Sequence, residues 1–215
     1  LVLPLSVLTV RAGAWQQGLL LLALCCLGSL LLLALAGLLL LIPKYAEMRK
    51  GIALRMLAAL PGSILLVSLM AGRGDYPPIH DITTDTDDPP RFVTAEKQRG
   101  EGSNPLDIKA ETIAAQREAY ADLQTLVTDR SIEDAFDHAL AVAADQGWEV
   151  YHQDRNAGVI EAVDTTAIMA FKDDIVIRLR TNADGTLVDI RSVSRVGVSD
   201  LGANAARIRA FQQAF

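Results

Sequence analysis

Four carboxylates, Asp81, Asp85, Asp87 and Asp88, stand within eight residues in the stretch Pro78-Ile-His-Asp-Ile-Thr-Thr-Asp-Thr-Asp-Asp-Pro-Pro-Arg-Phe92. Such a cluster suggests a calcium loop, but the glycine and closing glutamate that an EF-hand requires are absent. The competing reading is an extended strap whose Asp and Thr side chains bond its own turns. Opposite charge collects further along the chain. Arg178, Arg180, Asp189, Arg191 and Arg195 alternate with apolar residues and fall on one face of neighbouring strands. Arginines grouped this way can hold an anionic headgroup, a phosphate or an acidic partner segment. They can equally form cross-strand ion pairs with Asp189, Glu161 and Asp164. The acidic partner could be the chain's own Asp-rich strap.

Catalytic patterns are sparse. The histidines are His80, His138 and His152, with no pair at metal-ligand spacing, and Asp134 stands four residues before His138, where it can pair with it. Cys25 and Cys26 are adjacent on a helix, cannot bridge each other sensibly and read as packed thiols. Ser192, Ser194 and Ser199 lie outside any nucleophile elbow, and neither common glycine-rich phosphate loop is present. A hydrolase acting on envelope material would have to use Asp173, Asp174 or His152 as acid or base. It would also need a concave pocket holding a carboxylate of raised pKa. No metal or cofactor is expected.

The elements that position these residues divide sharply in composition. The chain has 215 residues and a formal charge of −6, but residues 1–73 carry +5 and residues 74–215 carry −11. A wholly soluble globule and a disulfide scaffold are excluded, and so acidic a second half argues against nucleic-acid binding. Gly18 to Ile42 is 25 residues without a charge, enough to span a bilayer. Met56 to Gly72 is a second uncharged run, bracketed by Arg55 and Arg73, with a kink expected at Pro61-Gly62. The expected spans are 17–42 and 54–72, and 1–10 reads as the end of a first helix. Cys25 and Ser29 make a small-residue helix-contact pair. Lys44, Arg49, Lys50 and Arg55 in one connection place it in the cytoplasm and the acidic half outside, in the periplasm of a bacterial inner-membrane protein.

Residues 74–106 read as an extended Pro/Asp-rich linker, and 107–215 as a soluble α+β domain. In the latter a helix or helix plus turn over Ile108–Leu126 precedes one capped by Ser131 and closed by Gly147. Four strands follow, Trp148–Asp154, Val159–Thr166, Ile175–Thr181 and Leu187–Val196, in an antiparallel meander with turns at 155–158 and 182–185. A last helix is capped by Asp200 or Ser199, with Leu201, Ala205, Ile208, Phe211 and Phe215 facing inward. The expected architecture is membrane helices, then a linker, then a four-stranded antiparallel sheet packed by helices.

Several stretches carry a family resemblance. Ile79 to Phe92 resembles the opening signature of the domain-of-unknown-function family 1499. Asp173 to Arg180 and Asp189 to Phe211 resemble its closing signature, with Gly147-Trp148 and Ile160-Glu-Ala162 matching between them. Tyr120-Ala-Asp resembles the family's Tyr-Pro-Asp, with Ala121 in place of proline. The resemblance implies no established activity, and it implies polar residues to test: Asp81, Thr83, Thr84, Asp85, Arg91, Asp173, Asp174, Arg191, Ser192, Ser194, Arg195, Asp200 and Asn204. Among these, Asp200 and Asn204 are expected to meet Arg195 at the start of the last helix, forming a clasp. Similar bacterial members carry membrane helices ahead of the domain, and relatives occur in the thylakoid lumen.

The expectation is a membrane-anchored accessory, assembly or scaffold subunit of a larger membrane complex, homo- or hetero-oligomeric, contacting other subunits and lipid. The alternatives are a binding module for an amphiphile or anionic lipid, and an envelope hydrolase.

Overall fold

The computed structural model describes residues 2–71, 74–183 and 185–215. Leu1, the Gly72 and Arg73 end of the second expected span, and Asp184 in the expected 182–185 turn lie outside the described residues. The chain forms two compact units, Leu1–Gly74 with Ile168–Ala170, and Asp75–Ala167 with Phe171–Phe215.

The first unit contains α1 (Val2–Arg11), α2 (Trp15–Leu41), a 3-10 segment (Pro43–Met48) and α3 (Arg49–Ala71). Ile42, forced from helical geometry by the following proline, ends α2 in extended backbone. The second expected span, α3, starts at Arg49 rather than at 54, because the charged residues that interrupt hydropathy are good helix formers. It passes through Pro61 as one helix. Gly62 lies directly against Ser29, where a Cβ would collide with the serine side chain, so the small residues do let two helices approach. Trp15–Leu41 and Pro43–Ala71 are long and apolar enough to cross a membrane. Their leucines, among them Leu24, Leu31 and Leu57, stay exposed. Each would forgo about 1.5–3 kcal/mol of burial in water, and the pair of helices suggests a membrane anchor.

The second unit contains β1 (Asp81–Thr83), α4 (Ala95–Gln98), α5 (Ala110–Ala119), β2 (Leu126–Thr128), α6 (Ile132–Asp145), β3 (Glu149–Asp154), β4 (Val159–Thr165), β5 (Lys172–Asn182), β6 (Gly185–Ser194) and α7 (Ala203–Ala214). The four expected strands form the antiparallel meander β3-β4-β5-β6, but the sheet has six strands. β1 and β2 both pair antiparallel with β6. At three residues each they are too short to show alternation, and β1 lies in the stretch read as a linker. Beyond β1, Gln116 of α5 receives a hydrogen bond from Thr83 N at 3.0 Å and donates one to Thr83 O at 2.6 Å. Its amide takes the place of a further strand and covers the sheet edge.

Alternation sorts the sheet into two faces, as expected. Ile175, Ile177, Leu179, Val188 and Ile190 are buried against α6 and α7, where Phe136, Ala139, Ile208 and Phe211 complete the core. Trp148 stacks on Phe211 with ring centroids 5.7 Å apart. Ser131 caps α6 by accepting from Asp134 N at 3.1 Å. His138 meets the Phe215 carbonyl at 2.8 Å rather than Asp134, whose carboxylate receives the Ser131 hydroxyl. Leu201, expected inward, is exposed, because α7 begins only at Ala203 and Leu201 sits before it in the left-handed region at φ 53°.

Gly158 closes the turn between β3 and β4. Its φ is +64°, and a Cβ there would strike the carbonyl oxygen of Leu179. Gly158→Ala is therefore expected to destabilise the domain by about 2 kcal/mol or more, read as a lower denaturation midpoint. An unchanged midpoint would contradict that packing.

Candidate functional site

The face of the sheet opposite the helices carries the arginines, and the chain leaving β1 lies over it. The turn after β1 is built by its own side chains. Asp85 Oδ1 accepts from Asp87 N at 3.1 Å and Asp88 N at 2.9 Å, while Thr83 Oγ1 donates to Asp85 O at 3.2 Å. This geometry aims Asp85 Oδ2 at Arg178 and Arg180, each 3.1 Å away. Asp88 reaches the same two guanidiniums at 2.9 and 3.4 Å. Asp189, directly opposite Arg178 in the register, accepts from Arg178 at 3.0 Å and Arg180 at 2.7 Å. Its other oxygen receives Thr125 Oγ1 at 2.6 Å.

Burial would raise the pKa of Asp85. Hydrogen bonds from the Asp88 and Asp87 backbone and from Arg180, with the Arg178 charge, outweigh it and hold the carboxyl below its ordinary value. A carboxyl depressed on folding contributes stability that is complete above its unfolded pKa and lost as pH falls through the folded one. Protease cleavage within residues 84–92 is accordingly expected to rise as pH drops below the ordinary aspartate range. Cleavage that does not change with pH would contradict the pairing.

Two further pairs fasten the strap. Asp81 and Arg191 lie diagonally across β1 and β6 and meet in a bidentate pair, Nε to Oδ1 at 2.9 Å and NH2 to Oδ2 at 2.7 Å. Arg191 also donates to Pro90 O at 3.1 Å and Leu106 O at 2.6 Å, and lies over the Phe92 ring. Asp174 accepts Arg195 through both oxygens at 3.0 and 2.7 Å, and Arg99 of the strap at 2.6 Å. Glu161, expected as an ion-pair partner of the arginines, instead binds the backbone N–H groups of Val93 and Thr94 and the Thr94 hydroxyl. Asp164 faces the opposite side of the sheet. Arg91 is exposed and lines a cleft of about 450 Å³ with Phe92, Asp107 and Glu96.

The expected clasp at the last helix forms with a different arginine. Arg195 lies on the strap face by strand alternation, so Asp200 and Asn204 cannot meet it. Arg207, one turn after Asn204, takes its place: it donates to Asn204 Oδ1 at 2.6 Å, Ser192 Oγ at 3.0 Å, Asp164 at 2.7 Å and Asp173 at 2.7 Å. Asn204 Nδ2 reaches Ser194 Oγ and the His80 carbonyl, each at 3.0 Å. Asp200 caps the helix by accepting from Gly202 N at 2.8 Å and Asn204 N at 2.9 Å. Burial raises its pKa despite those two bonds. Asp200 lines neither the cleft beside Arg91 nor one of about 480 Å³ beside Ile79 and Pro105, and among the described residues no group of His, Cys, Asp and Glu could hold a metal ion. The structure thus brings together Asp81 with Arg191, Asp85 with Arg178, Asp174 with Arg195, and Asp173 with Asn204 through Arg207.

Residues 81–215, from the first residue of β1 to Phe215 just after α7, match the family described as Protein of unknown function (DUF1499). The chain belongs to the DUF1499 family. The match includes the strap, so the acidic stretch over the arginine face is part of the DUF1499 domain itself. No curated protein matches the chain.

Proposed function

We propose that this DUF1499 protein is a membrane-anchored accessory or scaffold subunit of a larger membrane complex. In this reading it is multi-pass in a bacterial inner membrane, its domain lies in the periplasm, and it performs no catalysis of its own. Respiratory or photosynthetic complexes are the class that the family resemblance suggests. The observation that carries the proposal is the pairing within the domain. Asp81, Asp85, Asp173, Asp174, Arg178, Arg191 and Arg195 each meet an opposite charge of the same domain. The side chains with most scope for chemistry therefore hold the domain's shape, which suits a body that presents surfaces to other subunits. The basic connection 43–55 supports the periplasmic orientation. Purification in mild detergent should bring down stoichiometric membrane subunits, and a clean monomer would contradict the proposal.

A second reading has one specific support. A cleft of about 480 Å³ is lined by Ile79, Pro105, Ile108, Ala115 and Val198, with Lys109 among its polar residues. Its volume suits an amphiphile. Native mass spectrometry of the purified chain should then show a retained small molecule, and its absence would remove this reading.

A further inference from the structure

We propose that the loop 197–202, with Tyr76, rests in the surface of the bilayer that holds the apolar helices, so that the domain makes a lipid contact of its own. This rests on the reading of α2 and α3 as membrane spans. Val198 is 75% exposed and Leu201 64%, and Tyr76 beside them is exposed as well. The loop is fastened to the chain that has just left α3. Asp200 N donates to Ile79 O at 3.1 Å, Ser199 Oγ to Pro77 O at 3.3 Å, and the His80 ring nitrogen Nδ1 lies 3.3 Å from Val198 O. The Tyr76 ring packs over Gly202, where a Cβ would come within 2.6 Å of it.

Chain length supplies the reason for choosing lipid as the occupant. The last residue of α3 is Ala71, five positions before Tyr76, and a fully extended chain of that length reaches about 18 Å. Tyr76 and the loop fastened beside it are therefore tethered within the reach of a bilayer interface. Leu201 is held outward at φ 53° by Ser199 Oγ, which accepts its N–H at 3.2 Å. Two aliphatic tips with a tyrosine beside them are the residue types that settle at the lipid headgroup boundary. Val93, Val127 and Ile168 are exposed too, but none of them belongs to this loop.

The test places a diazirine amino acid singly at positions 31, 93, 127, 198 and 201 of the full chain, in liposomes of phosphatidylglycerol and phosphatidylethanolamine. All five residues are exposed, so the core is undisturbed. Irradiation should give phospholipid adducts at 31, 198 and 201 and none at 93 and 127. Adducts at 31 but not at 198 and 201, or adducts equally at all five, would overturn the loop contact alone. No adduct at 31 would overturn the membrane reading itself, and the loop contact with it.

Discussion

Replacing Asp174 by alanine is expected to destabilise the DUF1499 domain by about 3–5 kcal/mol. Its side chain is 0% exposed and accepts from both Arg99 and Arg195, whose own side chains are 5% and 12% exposed. Removing the carboxylate leaves two buried guanidiniums facing each other with no counter-charge. The damage comes from that uncompensated charge more than from the loss of attraction. Chemical denaturation of the full chain in mild detergent, followed at buried Trp148 in a Trp15→Phe background, would measure it. A midpoint close to the parent's would mean that solvent reaches this pair freely.

Arg191→Ala is expected to have an effect of similar size, about 3–5 kcal/mol. Arg191 and Asp81 are 4% and 5% exposed, so the substitution strands a buried carboxylate. It also removes the donors to the Pro90 and Leu106 carbonyls, which join residues 90–106 to β6 at both ends. Loss of stability should therefore come with faster proteolysis between residues 84 and 106. Asp87→Ala is the contrasting case. Asp87 meets Arg117 at 2.5 Å, but the two side chains are 91% and 53% exposed, and solvent screens the pair. No measurable change in midpoint is expected there. Equal losses for Asp87→Ala and Arg191→Ala would mean that burial does not set the strength of these pairs.

The strand alternation from Val159 to Ser194 made the two faces of the sheet legible, because a period of two leaves a residue no choice of side. The same parity marks Arg178, Arg180, Arg191 and Arg195 as one face, and the acidic strap is a natural counterpart in charge. Which carboxylate meets which arginine was not legible. Asp81 reaches Arg191 only because β1 pairs with β6, and a three-residue strand between prolines carries no periodic signal. The expected meeting of Arg195 with Asp200 and Asn204 fails because the strand places Arg195 on the other face, against Asp174. A usable signal for Arg207 did exist: it follows Asn204 by three residues, the spacing that puts two side chains on one side of a helix. Gln116 offered no such signal, since its value lies in bonding both backbone groups of a strand residue 33 positions away.

Amide hydrogen exchange along residues 81–106 of the intact chain tests most directly whether the charges clamp the strap to the sheet. Slow exchange is expected at Thr84, Val93 and Thr94, whose N–H groups are bonded to the sheet strands, with protection falling in the Asp174→Ala and Arg191→Ala chains. Exchange at free-peptide rates in the unaltered chain would contradict the account, because a strap that leaves the arginine face in solution leaves that face open to a ligand.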